Sequence, residues 1–151
     1  MHYETVKDVV DHSRQLHQQI SQFYHKLSEK NAQARVSMLL EFLQRHEANL
    51  ADTLNKFEKD KSQKVLDSWL QFSPDQDLNQ ELAEMEVNEN MDADDVVEVA
   101  LKLDKYFIDL YQDMVDGATS SAVKEVFQNL LDMEEHERIQ TAKAALQIND
   151  M

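Results

Sequence analysis

The sequence predicts an all-α protein built as an antiparallel bundle of four long helices. The chain of 151 residues contains one glycine, one proline and no cysteine, which leaves little material for tight β-turns, Gly-rich phosphate loops or thiolate chemistry. Strong helix formers dominate the composition. Apolar residues recur at spacings of three and four in four stretches, as expected for amphipathic helices. The length fits a single domain, residues 1–151, with one hydrophobic core.

The first two helices are predicted over residues 3–30 and 32–60. His17 lies on the apolar stripe of the first helix, and His46 fills a gap in the stripe of the second. Both histidine side chains are therefore expected to point into the bundle.

The last two helices are predicted over residues 92–117 and 119–146. Asp92 has the position and the chemistry of an N-cap, and acidic residues follow it in the first turn, where they suit the helix dipole. Gly117 ends the third helix. The fourth helix is expected to open at Thr119 or Ser120.

The connections predict how these helices are arranged. The breaks near Asn31 and at residues 117–121 are short, so the helices on either side of each break should be antiparallel neighbours. Residues 61–91 form a connection long enough to cross the whole bundle, with residues 64–72 and 78–86 predicted as short helices. The sequence therefore predicts two helical hairpins joined by a long crossover.

A polar layer is predicted to cross the core. Four of its residues, His17, His46, Asp104 and Glu134, lie about 13–17 positions from the turn of their hairpin, which places them at roughly the same height, 20–25 Å from one end of the bundle, at about 1.5 Å of rise per residue. The five ionisable side chains that interrupt the apolar stripes are His17, His46, Asp104, Glu134 and Glu137.

A weak internal repeat supports this alignment. Residues 16–24 match residues 103–111, and in each segment a polar residue, His17 or Asp104, precedes a tyrosine by seven positions. Each hairpin is then one copy of the repeat.

With these residues the chain resembles the rubrerythrin-type branch of the ferritin-like superfamily. In that family the first and third helices each carry a Glu seven residues before a Tyr, and the second and fourth each carry Glu-x-x-His. Phe23-Tyr24 matches the family's first helix, and His46 falls where the second helix should carry its Glu. The resemblance covers both hairpins. It implies a ferritin-like antiparallel four-helix bundle, and a homodimer, because such bundles commonly pair.

The chain departs from the family's metal-binding pattern on every helix. The residues found at the family's ligand positions are His17, then His46 and Asn49, then Asp104, then Glu134 and Glu137. If the internal repeat is extended from His46 and Asn49, the corresponding residues of the fourth helix are Met133 and His136 instead. This alternative register stays open.

A conventional di-iron centre is therefore not expected. Such a centre needs carboxylates that bridge two metal ions, and the first two helices offer none unless Glu47 turns inward. Two histidines with Asp104 and one glutamate would suit a single Zn²⁺, Fe²⁺ or Mn²⁺. Iron with an open position would support reduction of O₂ or peroxide, with Tyr24 and Tyr111 nearby. Buried His–carboxylate pairs also satisfy each other without any metal.

Two hypotheses from different classes follow. In the first, the chain is a ferritin-like metal protein that binds Fe or Zn through the polar layer, with candidate oxidoreductase activity. In the second, it binds no cofactor and is a structural or protein-interaction bundle whose polar layer fixes helix register. Trp69 and Phe72, in the crossover, are expected either to dock a partner or a second subunit or to pack over the edge of the bundle.

The charge excludes other classes of partner. The chain carries 30 acidic and 15 basic residues, a formal net charge of -15, which repels nucleic-acid backbones and anionic membrane surfaces. No apolar run approaches the ~20 residues of a membrane span. We therefore expect a cytoplasmic protein that binds neither nucleic acid nor membrane. The sequence identifies no substrate.

Overall fold

The computed structural model describes residues 2–31, 33–61, 63–72 and 90–149. In chain order the helices are α1 (Val6–Lys30), α2 (Ala34–Asp60), α3 (Gln63–Leu66), α4 (Ala93–Asp116) and α5 (Ser121–Asn149). Two short strands, β1 (His2–Thr5) and β2 (Trp69–Phe72), complete the described residues. The four long helices α1, α2, α4 and α5 form the predicted bundle.

Helices α1 and α2 form the first antiparallel hairpin. The Ser21 hydroxyl donates to the Gln44 carbonyl at 3.0 Å, and the Ser37 hydroxyl donates to the Ser28 carbonyl at 3.0 Å. The second pair is closer in sequence than the first, as it must be when two antiparallel helices converge on a short turn.

Helices α4 and α5 form the second hairpin. A side chain in the turn of the first hairpin contacts the residues just before α4. The Asn31 side-chain amide donates to the Met91 carbonyl at 3.1 Å. Within the second hairpin, the rings of Tyr111 and Phe127 lie 6.3 Å apart. The turn of one hairpin therefore lies at the same end of the bundle as the first residues of the other.

The core follows the apolar stripes predicted from the sequence. Burial of these side chains removes apolar surface from water and is the main stabilising contribution to the bundle. The largest fully buried hydrophobic side chains are Tyr24, Tyr111, Phe107, Phe127, Ile20, Leu39, Leu40, Leu54, Leu103 and Val6. Because the helices of the described ranges keep a polar face, none of them is long and apolar enough to cross a membrane.

Capping residues determine where two of the helices begin. Asp92 accepts a hydrogen bond from the backbone N–H of Asp95, and the Asp95 carboxylate accepts one from Asp92, a capping box at the start of α4. Thr5 and Asp8 form the same arrangement at the start of α1. Helix α1 therefore begins at Val6, three residues later than predicted, because the preceding residues are in β1.

The crossover departs from the prediction of a short helix over residues 64–72. Only the turn Gln63–Leu66 is helical, and Trp69–Phe72 pairs antiparallel with His2–Thr5, with Thr5 opposite Trp69. Aromatic and branched residues suit strands, but the pairing joins segments more than 60 positions apart, so local periodicity could not reveal it. The second predicted helix of the crossover, residues 78–86, lies outside the described residues.

Replacing the N-cap of α4 should destabilise the bundle. Asp92→Ala removes one side-chain acceptor and leaves a backbone N–H of the first turn without its cap, which typically costs about 1 kcal/mol of unfolding free energy. Urea unfolding at neutral pH measures the effect. Asp94→Ala is the matched control, because this exposed first-turn aspartate makes only the weaker interaction with the helix dipole, about 0.3–0.5 kcal/mol. Equal losses in the two variants would contradict the capping role.

Candidate functional site

Three of the five residues predicted for the polar layer are buried in the bundle interior. His17 on α1 and Glu134 on α5 have no exposed surface, and Asp104 on α4 is 5% exposed. Glu47 on α2 is also 5% exposed. Each long helix therefore contributes one buried histidine or acidic side chain, and two come from each hairpin.

His17 bridges the two hairpins. Its Nδ1 contacts Oε2 of Glu47, and its Nε2 lies 2.7 Å from Oε1 of Glu134. The imidazole ring stacks on Phe107 with a centroid distance of 3.9 Å and an interplanar angle of 13°. One side chain of α1 therefore contacts all three of the other long helices.

The protonation state of His17 follows from these contacts. Burial lowers the pKa of the imidazole, but the carboxylates of Glu134 and Glu47 raise it more, and the resulting pKa is about 10. Both ring nitrogens therefore carry hydrogen at neutral pH, and each N–H donates to one carboxylate. The centre of the layer is a carboxylate–imidazolium–carboxylate bridge.

Asp104 completes the layer as a neutral acid. Burial and the charges of Glu47 and Glu134 raise its pKa to about 8, so the carboxyl group keeps its proton at neutral pH. Its Oδ2 atom is buried and has no hydrogen-bond partner, and the same holds for Oε2 of Glu134. Burial also raises the pKa of Glu134, although His17 opposes this effect.

The remaining two predicted residues, His46 and Glu137, form a separate pair. Nδ1 of His46 lies 2.6 Å from Oε2 of Glu137, and their side chains are 29% and 23% exposed. The ring of Phe42 lies 4.2 Å from the His46 ring. This pair joins α2 to α5 at the boundary of the bundle, where water reaches it.

The structure corrects the position of the polar residue on α2. The family resemblance implies that His46 and Asn49 occupy the ligand-like positions on this helix, but Glu47 is buried and Asn49 is exposed. Successive helical residues differ by about 100° in direction, so a shift of one position decides which side chain enters the core.

The internal repeat contained the signal that would have found Glu47. His17 and Asp104 are 87 positions apart, and Glu47 and Glu134 are also 87 positions apart. Moving 87 positions along the chain from Glu47 therefore leads directly to Glu134, with no adjustment of the helix register. Of the alternative pair on α5, Met133 is partly buried against the core and His136 is exposed.

Comparison with known proteins gives a match in fold. No protein-family model and no curated protein matches the sequence. Among solved structures, the chain is similar to one from Thermotoga maritima, described as a candidate ferritin-like diiron-carboxylate protein. The TM-score is 0.64, with 19% sequence identity over 96% of this chain and 97% of that chain. The chain has the ferritin-like fold.

The ferritin-like bundle of this chain does not fit a dinuclear metal centre. Both ring nitrogens of His17 donate to carboxylates, so neither presents a lone pair to a metal ion. On α2, Leu50 follows Glu47 by three positions, and on α5, Glu137 follows Glu134 by three. Each of those positions would need a histidine in the Glu-x-x-His pattern. Among the described residues, no three His, Asp or Glu side chains are arranged to hold a metal ion.

Removing one anion from the bridge should destabilise this bundle strongly. Glu47→Gln leaves a buried imidazolium with one carboxylate instead of two, and disruption of a buried ion pair costs about 3–5 kcal/mol of unfolding free energy. Glu137→Gln is the matched control, because the same change at a partly exposed pair should cost only about 0–1 kcal/mol. Urea unfolding at pH 7 compares them. Similar losses in both variants would refute a central role for the bridge.

The unfolding free energy should fall as the pH rises from 7 to 10. The pKa of His17 rises from 6.5 to about 10 on folding, so its contribution is complete below pH 6.5 and is lost as the pH rises through 10. Asp104, whose pKa rises from 3.8 to about 8, acts in the same direction up to pH 8. Urea unfolding at pH 7, 8.5 and 10 measures the fall.

Two variants serve as controls for this pH profile. His17→Gln should remove the part of the fall above pH 8.5, and His25→Gln, at an exposed histidine, should keep the wild-type profile. A wild-type stability that is flat from pH 7 to 10 would mean that His17 is not an imidazolium.

Proposed function

We propose that this chain is a structural or protein-interaction bundle of ferritin-like fold in which a protonated polar layer takes the place of a metal centre. The observation that carries the proposal is the double engagement of His17, whose two ring nitrogens contact Glu47 and Glu134. An imidazolium is a cation and has no free lone pair. It therefore neutralises buried carboxylates without being able to ligate a metal.

The charge balance of the layer supports this proposal. At neutral pH His17 is positive and Asp104 keeps its proton, as their pKa values of about 10 and about 8 require. The layer is then left with two carboxylates around one imidazolium. The two protons therefore reduce the charge of the layer from three negative to one negative, and each remaining carboxylate contacts the imidazolium.

Two features of the surface, an exposed aromatic side chain and a negative net charge, support an interaction role. Trp69 on β2 is 68% exposed, and aromatic side chains in such positions commonly act as anchors for protein partners. The net charge of -15 favours a partner with a basic surface. Self-association into a homodimer belongs to the same proposal, with Trp69 as a candidate contact.

A second candidate function rests on a different observation. The buried layer and the His46–Glu137 pair together contain four carboxylates and two imidazoles, the donor set of the carboxylate-bridged metal proteins with this fold. Oδ2 of Asp104 and Oε2 of Glu134 lack partners. On this alternative the chain would bind one or two ions of Fe or Zn, and bound iron would supply O₂ or peroxide reduction.

Metal analysis of the purified protein distinguishes the two candidates. The protein should be expressed in medium supplemented with iron and zinc, purified without chelators or affinity metals, and analysed by inductively coupled plasma mass spectrometry. We expect less than about 0.1 equivalent of any transition metal, because metal binding would have to displace the protons of the layer. One or two equivalents that disappear in the Glu134→Gln variant would overturn the proposal in favour of the second candidate.

A further inference from the structure

We infer that the outer face shared by α4 and α5 is an interface on which a second copy of this chain packs about a two-fold axis. This surface, the α4–α5 face, is centred on Leu101 of α4 and Ile139 of α5. The inference rests on the proposed function, which includes self-association, and deepens it, because it names the contact surface and the way in which two copies pair.

Helix α5 carries apolar side chains on its outer surface as well as in the core. Ile139 is 54% exposed and Leu146 is 66% exposed, and Ala142, which lies between them, is exposed as well. Spacings of three and four residues place all three on one stripe. At about 100° per residue, Ile139 points roughly 140° away from the fully buried Glu134. Exposed apolar stripes mark contact surfaces more often than isolated apolar residues do.

The stripe lies on the side of α5 that is opposite α2. Glu137 faces α2, where its carboxylate contacts His46 at 2.6 Å. Ile139 comes two positions later, so its side chain points about 200° away from that of Glu137. The exposed stripe therefore belongs to the outer surface that α5 shares with α4.

Leu101 of α4 lies at the same height as this stripe. The rings of Tyr111 on α4 and Phe127 on α5 lie 6.3 Å apart. Because the two helices are antiparallel, a residue ten positions before Tyr111 is level with one about ten positions after Phe127. Leu101 is therefore within about two residues, or ~3 Å, of the height of Ile139.

Leu101 also points toward the same outer surface. Phe107 of α4 stacks on His17 of α1, and Tyr111 is turned from it by about 40° toward α5. Leu101 lies about 80° further around the helix in the same direction, and it is partly buried. Two apolar centres, one on each helix, thus lie side by side on the α4–α5 face.

Charged residues flank both apolar centres. On α4, Glu98 and Lys105 are seven positions apart, about two helical turns, and on α5, Asp132 and Lys143 are eleven positions apart, about three turns. All four side chains are exposed. Whole turns keep both members of each pair on one side of their helix. Each helix therefore presents one acid and one base on the outer face.

The two charge pairs are centred at the same height. Their midpoints are halfway between positions 101 and 102 on α4 and halfway between positions 137 and 138 on α5. The register given by Tyr111 and Phe127 makes these midpoints level to within about one residue, or ~1.5 Å. The four charges therefore form a square in which acid and base alternate along each helix and across the groove.

Such a square is complementary to its own copy. A two-fold axis through its centre, lying in the face and perpendicular to the helices, brings Glu98 of one copy opposite Lys105 of the other. An axis parallel to the helices brings Glu98 opposite Lys143 instead. Either rotation forms four ion pairs between the copies and places the apolar centres against each other. Opposite charges across an interface determine which surfaces pair and in which register.

The overall charge does not prevent this pairing. The net charge of -15 makes two copies repel each other, but at about 0.15 M salt the Debye length is about 8 Å, so charges remote from the contact are screened. In the single chain Lys105 contacts Asp109 at 2.6 Å, and both side chains are exposed. Exposed pairs of this kind contribute little to stability, so Lys105 can also pair with a second copy.

The test is sedimentation equilibrium of the full chain at pH 7.5 in about 0.15 M NaCl, at concentrations up to about 200 μM. We expect reversible association to twice the chain mass of 17.6 kDa. Ile139→Asp should weaken association at least about 100-fold, because it brings a charge into an apolar contact. Met38→Asp is the matched control, because Met38 is an exposed apolar residue of α2 outside the face, and it should associate like the wild type.

Two results of this experiment would overturn the inference. One is a wild-type chain that stays monomeric at about 200 μM, and the other is equal weakening by Ile139→Asp and Met38→Asp. Far-ultraviolet circular dichroism should give the same helical content for all three proteins, since both substituted residues are exposed.

Charge reversal tests the two-fold pairing. Glu98→Lys should weaken association about 10-fold, because it turns two attractive contacts between the copies into repulsive ones. Adding Lys105→Glu should restore the wild-type affinity to within about threefold if the axis is perpendicular to the helices. Adding Lys143→Glu should do so if the axis is parallel to them. Restoration by neither double variant would overturn the inference.

Trp69→Ala separates this face from the other candidate contact. Trp69 is on β2, outside the α4–α5 face, so its replacement should leave the affinity within about threefold of the wild type. Association that is lost in Trp69→Ala but kept in Ile139→Asp would place the interface at Trp69. That result would overturn the inference and leave the proposed function standing, whereas metal bound to the wild type would refute the proposed function.

Discussion

The His17 bridge is the interaction on which the rest of the interior depends. It joins α1 to α2 through Glu47 and the first hairpin to the second through Glu134, and Phe107 of α4 stacks on its ring. A buried ion pair is stable only while its partners stay paired and hydrogen-bonded. The bridge therefore ties the second helix of each hairpin to the same side chain.

Protons on His17 and Asp104 reduce the buried charge of this layer. Three buried acids lie around one base, and the layer stays compatible with burial because His17 gains a proton and Asp104 keeps one. Burial raises the pKa of Asp104 and lowers that of His17, and the neighbouring carboxylates raise both. The same carboxylates that would attract a metal ion thus make the imidazolium stable.

The fold explains how such a layer arises from two similar hairpins. The 87-residue spacing that relates His17 to Asp104 also relates Glu47 to Glu134, so each hairpin delivers one acid from its second helix and one different residue from its first. A histidine in one copy and an aspartate in the other break the symmetry. That difference places the positive charge in the first hairpin and gives the second hairpin the neutral acid.

Local patterns in the sequence determined the number of long helices, the short turns, the cap at Asp92 and the height at which polar residues cross the core, because periodicity and capping act within a few residues. Only the tertiary structure decided that Glu47 rather than His46 enters the layer, since a rotation of about 100° per residue exchanges neighbours on a helix. The bridge from His17 to Glu134 spans 117 positions, and the pairing of β1 with β2 is similarly remote. Contacts of this kind depend on how the hairpins pack together, which no local pattern records.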